Sequence, residues 1–327
     1  MSKIALSFFI LASSFCLGQD YGNVDERVRN YSYFDTIDSL ALQIVNDFDS
    51  DTEKVRAAFV WLTHNFTYGK TMEDFFKPRP TIIYYSERGK QRQLKKLDDK
   101  LIVYAFKNKR GVCHDYSKVL KKLYDKFGLE SHIIRGVVKE DVRDITGEKI
   151  YKNHAWNAVK LNGEWKLMDP TWASGYYDES RKIQVRKFNE RYFDVNPKEF
   201  IKDHFPAESK WQLLKEPISV KSFYSAPIYL PGYFESDVEL ASEVSGLLNQ
   251  SEADVLLFTF DKFPKNLMLN YSIDSDTSKG RIRRMGIGKR IEKRYVSRLK
   301  LRKWLNSEQR LTLYIDKNPI LRFSVDE

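Results

Sequence analysis

The chain has 327 residues, 42% of them hydrophobic and 14% aromatic, which is enough to bury cores and excludes a disordered chain. It carries 55 Lys and Arg against 45 Asp and Glu, a net charge of +10, but residues 280–304 hold eleven basic side chains against Glu292 alone. The excess is confined to that segment, which excludes a coat protein basic throughout, and two cysteines exclude a disulfide scaffold or a four-cysteine zinc site.

Residues 1–18 read as a signal peptide. Lys3 supplies the positive start, residues 4–17 are apolar or small, and Cys16 and Gly18 suit a cut before Gln19. The apolar run is short for a membrane span, and bulky Phe15 speaks against a lipoprotein with Cys16 lipidated. No later stretch is long and apolar enough to span, so the expected location is secreted or periplasmic. Cleavage leaves Cys113 as the sole cysteine, without an intramolecular disulfide partner. Such a thiol is either a buried small hydrophobe or a reactive group.

Asp49-Ser50-Asp51 starts a helix, with Val55, Ala58, Phe59, Leu62 and Phe66 as its apolar stripe. Residues 70–92 read as a surface loop. Residues 94–106 read as a helix with Leu97, Leu101, Val103 and Tyr104 on its apolar side. Gly111 then permits a tight bend, and Cys113, Tyr116, Leu120, Leu123 and Phe127 fall on one face of a helix that stops at Gly128. Strands follow at 131–138, 154–161 and 164–169, the last two joined by the hairpin signal Asn162-Gly163. A short helix is expected at 197–202. Pro217, Pro227, Pro231 and Gly232 mark a boundary. Beyond it, strands at 255–260, 268–273, 298–304, 311–315 and 320–325 suggest a β-sandwich.

The hairpin singles out one histidine. A two-residue turn at 162–163 sets Trp156 opposite Asp169, which makes His154 and Asp169 diagonal neighbours on one face, about 7–8 Å apart at Cα. A carboxylate there fixes one imidazole nitrogen and leaves the other for a thiol. A cysteine at a helix N-terminus gains thiolate character from the helix dipole. Cys113, His154 and Asp169 therefore have the types of a nucleophile, an acid–base group and its orienter. The competing reading is a buried cysteine beside two unrelated polar residues.

Gly111-Val112-Cys113, Asn153-His154-Ala155-Trp156-Asn157 and Met168-Asp169-Pro170-Thr171-Trp172 resemble the transglutaminase-like superfamily of papain-like cysteine enzymes. Residues 54–63, Tyr192-Phe193, His204-Phe205-Pro206 and Trp211-Gln212-Leu213-Leu214 are similar to segments of its kyphoscoliosis-peptidase-like members. The resemblance implies an α+β fold, with the cysteine helix packed on an antiparallel sheet. It makes Cys113 the nucleophile, His154 the base and Asp169 its partner. His114-Asp115 after Cys113 departs from the family pattern. The expected organisation is a signal peptide (1–18), a catalytic domain with a helical lead-in (19–216) and a β-rich accessory domain (217–327).

Trp156, Trp172 and His114 are the substrate-cleft candidates, although the two tryptophans also suit a core and His114 points about 100° away from Cys113 on the helix. His64 and His132 read as structural, and His204 reads as packing near the core. No metal-ligand spacing and no cofactor are found. Gly286-Ile287-Gly288-Lys289 lacks the context of a phosphate loop. Arg298, Lys300 and Arg302 alternate with Leu299 and Leu301, forming either a solvated strand face or a contact for an anionic envelope polymer or surface. No nucleic-acid partner is expected.

Two functions compete. One is a secreted cysteine enzyme acting on protein or peptide amides through a thioester, with hydrolysis favoured over cross-linking. The other is a catalytically silent binding or scaffold protein with the same fold.

Overall fold

The structure is a computed structural model and describes residues 21–69, 83–147, 150–178, 181, 183–248, 255–264, 267–275, 280–285, 289–291, 293–300 and 309–325. The expected leader at 1–18, Gly286-Ile287-Gly288, Leu301 and Arg302 lie outside the described residues.

Two helices, α1 (Gly22–Arg29) and α2 (Ile37–Asp47), pack against a third, α3 (Asp51–Asn65). α3 begins in a capping box: Ser50 Oγ accepts the Glu53 N–H at 3.2 Å, and the Glu53 carboxylate accepts the Ser50 N–H at 3.3 Å. The expected stripe is buried, and so are Ala57, Val60 and Trp61 on other faces, because helices pack around α3. Arg56 lies in this core. Its guanidinium donates to Asp25 at 2.7 and 2.6 Å and twice to Glu190 at 2.6 Å, between the rings of Tyr21 and Phe193. Burial alone would favour loss of the Arg56 proton, and the two carboxylates outweigh it.

After β1 (Thr67–Tyr68) comes α4 (Glu87–Asn108). It starts seven residues earlier than the apolar pattern suggested, because Ser86 Oγ caps it by accepting the Gly89 N–H at 3.1 Å. Its packed side also differs from expectation. Val103 and Tyr104 are exposed, whereas Phe106 in the last turn stacks on Trp61 at 5.2 Å. β2 (Arg110–Gly111) pairs in parallel with β1, setting Tyr68 beside Gly111, and α5 (Cys113–Lys126) follows at once. Tyr116, Leu120 and Leu123 are fully buried, and Gly128 ends the helix at φ +76°.

The central sheet is antiparallel throughout. β3 (Ser131–Val138), β4 (His154–Leu161) and β5 (Glu164–Met168) form a meander in which Asn162 and Gly163 both take positive φ. The register runs from Leu161 opposite Glu164 to Asn157 opposite Met168, as the turn signal implies. Next come α6 (Pro170–Ala173), the pair β6 (Gly175–Asp178) and β7 (Ile183–Arg186), α7 (Pro197–Phe200) and β8 (His204–Pro206). β8 returns to β3, giving the order β5-β4-β3-β8. α5 packs on β3 and β4, and Asn157 Nδ2 ties β4 to α5 by donating to the Ser117 carbonyl at 2.9 Å.

α8 (Val220–Ser225) buries Phe223 and Tyr224 against Val137, Ile201 and Phe205. Lys139, also buried, donates to the carbonyls of Phe223, Ala226 and Pro227 at 2.7, 2.8 and 3.2 Å, and burial pulls its basicity down to about 7. The rest is mainly strands: β9 (Ile228–Tyr229), then α9 (Pro231–Glu235), β10 (Glu239–Leu240), β11 (Leu247–Leu248) and β12 (Val255–Lys262). They continue through β13 (Leu269–Ser275), β14 (Arg283–Arg284), β15 (Lys289–Ile291), β16 (Arg294–Lys300), β17 (Gln309–Ile315) and β18 (Asn318–Val325). One sheet has the order β10-β12-β16-β15, and the other β11-β18-β17-β13-β14 with β9 on β18. Leu256, Phe258, Phe260 and Leu299 of the first meet Leu269, Leu311, Leu313 and Phe323 of the second in one core, with Phe258 and Phe323 5.1 Å apart. β16 begins at Arg294 rather than Arg298, because Tyr295 and Val296 already pair with β12 and β15.

Candidate active site

Cys113 is the first residue of α5 and is half-buried. Just before it, the backbone is fixed from two sides. Gly111 pairs with Tyr68, and Asp115 folds back to accept the Val112 N–H at 3.1 Å. A Cβ on Gly111 would lie 2.5 Å from the Asp115 Cβ, so close approach is what demands glycine here.

His154 opens β4 and is buried. Asp169 reaches it by a route other than the expected strand pairing. Pro170, at the first helical position, ends β5, and Asp169 becomes the N-cap of α6. Its Oδ1 accepts the N–H groups of Thr171 at 2.8 Å and Trp172 at 3.2 Å, and its Oδ2 lies 2.7 Å from His154 Nε2. The His154 ring also interacts with the Cys113 thiol. Burial disfavours charge on His154, but the Asp169 carboxylate and the Cys113 thiol outweigh it and push the ring up to about 10. Asp169, fully buried, is held well below the usual carboxylate range because His154 and His204 oppose the burial penalty.

Sequence reasoning gave His204 no part in the site, yet it touches Asp169. His204 Nε2 lies 3.0 Å from Asp169 Oδ2, and its Nδ1 lies 2.5 Å from Asp203 Oδ1. β8 delivers it from 35 residues away. That delivery depends on Gly136, where a Cβ would lie 2.2 Å from the Phe205 carbonyl and 2.5 Å from the Trp156 ring. The one local signal was an Asp-His pair at the start of a fully buried apolar strand.

The cleft candidates separate. Trp156 is buried behind His154, its ring 6.1 Å away, with its edge toward Phe200 and His204. Trp172 is half-buried, 5.8 Å from the His154 ring. His114 turns toward β3, where its Nε2 accepts from Arg135 at 2.9 Å, and burial lowers it to about 4. A neutral acceptor beside an arginine is stable chemistry, and it directs His114 away from Asp169. Tyr68 is a neighbour that sequence reading did not single out: burial and the Cys113 charge raise its hydroxyl. His64 bonds the Val60 carbonyl, and His132 stacks on Trp211. Arg298 and Lys300 are exposed on either side of buried Leu299.

Sequence spacing offered no metal site, but the fold gathers His154, Asp169 and His204 within reach of a common ion. Their contacts of 2.7 and 3.0 Å are direct hydrogen bonds. Two ligand atoms on a tetrahedral zinc with ~2.0 Å bonds stand roughly 3.3 Å apart. The observed geometry is that of shared protons.

Residues 38–170 match the model of the Transglutaminase-like superfamily, which supports assigning that stretch of the chain to it. Among curated proteins, the chain is 30% identical over 191 residues, 57% of its length, to Kyphoscoliosis peptidase of Mus musculus and of Homo sapiens, covering 26% of each. It is 24% identical over 224 residues, 64% of its length, to Hillarin of Drosophila melanogaster, covering 25% of that protein. The chain thus spans about a quarter of the length of these relatives. A crystal structure of a TGase overlaps 56% of this chain and 40% of its own at 13% identity, with a TM-score of 0.27.

Proposed function

We propose that the protein is a cysteine-dependent amide-processing enzyme, a peptidase or amidase, working through a thioester on Cys113. The observation that carries this reading is the single buried imidazole held between a carboxylate and a thiol. With His154 pushed up to about 10, the ring is an imidazolium at neutral pH, and its charge favours a thiolate on Cys113.

The thiolate attacks the amide carbonyl carbon, and the carbonyl pair moves onto oxygen. The Cys113 N–H at the start of α5 and the Tyr68 hydroxyl donate to that oxyanion in this reading. As the carbon–nitrogen bond breaks, His154 passes its proton to the departing amine, leaving a thioester. Water then gives a proton to His154 and attacks the thioester, releasing a carboxylic acid and restoring the ion pair. An amine in place of water would make the product a cross-link. We favour water, in line with the relatives called peptidases. We place the enzyme outside the cytoplasm, with Arg298 and Lys300 holding it on an anionic surface.

The test is alkylation of the native protein with iodoacetamide at neutral pH, read by mass spectrometry. One adduct on Cys113 is expected, absent in Cys113→Ala and slowed at least tenfold in His154→Ala. A thiol inert until the protein is unfolded would overturn the proposal.

A further inference from the structure

We infer that His204 is a positioning residue for the proposed site: a cationic ring that shares the Asp169 carboxylate and so sets how firmly Asp169 holds the proton on His154. The inference rests on the reading of His154 as the acid–base group.

His204 is fully buried, and each ring nitrogen faces a carboxylate oxygen, Asp203 Oδ1 at 2.5 Å and Asp169 Oδ2 at 3.0 Å. An ionised carboxylate only accepts, and a neutral imidazole has one N–H to give. Both contacts are satisfied together only when both nitrogens carry hydrogen. Neither carboxylate needs that proton. Asp203 Oδ2 accepts from Arg191 Nη1 at 2.8 Å, and Asp169 receives two backbone N–H groups besides the rings. The His204 charge in turn helps hold both carboxylates low. The proton belongs on the ring.

The His204 ring is also held mechanically. Phe200 stacks on His204 at 4.1 Å with 13° between the planes, while Trp172 and Trp156 meet it edge-on at 4.7 and 5.2 Å. The ring cannot swing its Nε2 away from Asp169. Two further titratable groups feel Asp203: Tyr192, with its hydroxyl 3.5 Å from Asp203 Oδ2 and kept protonated by burial, and buried Lys139, whose charge Asp203 favours against burial. A chain of alternating sign results: Arg191, Asp203, His204, Asp169 and His154.

The consequence concerns His154. The two imidazole rings have centroids 5.5 Å apart and compete for one oxygen. Removing a unit positive charge at that distance, at an effective dielectric of ~20, should let His154 keep its proton to a pH about two units higher. A residue that only fills space would move stability and leave that titration where it was.

The experiment is 15N NMR of histidine rings in the full chain, in wild type, His204→Asn and Asp203→Asn, with circular dichroism to confirm folding. In wild type at neutral pH, both His204 nitrogens should resonate as protonated. In His204→Asn, the His154 titration should move up by about two pH units. Should that variant fail to fold, Asp203→Asn still decides. It keeps the His204 bond to Asp169, but the one amide oxygen goes to Arg191 and the amide N–H turns to His204 Nδ1, so His204 should become a single neutral tautomer and His154 should shift up by less. A neutral His204 in wild type, or an unmoved His154 titration in a folded variant, would overturn the inference. These readouts need no turnover. An inert Cys113 would sink the proposed function and leave the His204 protonation state standing.

Discussion

At the scale of single residues, Asp169 is heavily committed. Its two oxygens accept from two backbone N–H groups and two imidazoles. Asp169→Ala would strand both rings in a fully buried place, and truncation of such a partner typically costs about 3–5 kcal/mol. Urea unfolding should register that loss. Asp169→Asn keeps the shape but offers one acceptor oxygen instead of two, so His154 loses its preferred tautomer. Hydrolysis of a cleavable substrate should then fall on the order of 10³–10⁴-fold, with binding nearly unchanged. The pH dependence of stability follows from the same contacts. His154 stands above its ordinary value, so its contribution is complete below pH 6.5 and disappears as pH rises through about 10. Asp169 stands below its ordinary value, so its contribution holds above pH 3.8 and disappears only in strong acid. Unfolding midpoints measured from pH 5 to 10 should be level through neutrality and fall toward pH 10. In Asp169→Asn the part of that fall due to His154 should vanish.

At the scale of elements, the sequence makes some features legible and hides others for physical reasons. The β4–β5 register could be read off because Asn162-Gly163 allows one turn geometry, and a two-residue period then fixes every pair. The start of α3 was visible in Ser50 and Glu53, whose side chains bond each other and each other's N–H within one turn. Ser50→Ala should accordingly cost about 1 kcal/mol in a thermal or urea melt. The first turns of α4 were missed because Glu87 to Lys96 is mostly charged and exposed, so no apolar period marks it. The second imidazole on Asp169 was missed for the opposite reason. His204 is local to nothing, since its role exists only once β8 has docked on β3. That docking is the element to test. At Gly136 a methyl group would run into the Phe205 carbonyl and the Trp156 ring. Gly136→Ala should therefore destabilise the protein by roughly 1–3 kcal/mol, the usual range for overpacking, and weaken the His204–Asp169 contact in the same NMR spectra.

At the scale of the whole molecule, the net charge of +10 becomes a question of geography. Arg294 is already paired with Glu243 and Asp261, whereas Arg298 and Lys300 stand exposed on the same strand, with exposed Leu257 opposite Arg298. Replacing both with Gln should lower the salt concentration at which the protein leaves an immobilised anionic polymer, while iodoacetamide labelling of Cys113 stays at the wild-type rate. A simultaneous loss of labelling with the fold intact would mean that surface and site are coupled.

The Arg56 knot bears on how this molecule can be divided. The family match ends at residues 38 and 170, but the partners of its interior charges lie outside those borders. Asp25 precedes them, and Glu190, Asp203 and His204 follow. A fragment excised at 38–170 would keep Arg56 and Asp169 while discarding what neutralises Arg56 and one of the rings that Asp169 holds. Such a fragment should be insoluble when expressed, whereas one spanning 21–216 keeps all six groups together. The recognisable sequence signature is smaller than the cooperative unit, because charges buried in the signature are balanced from beyond it.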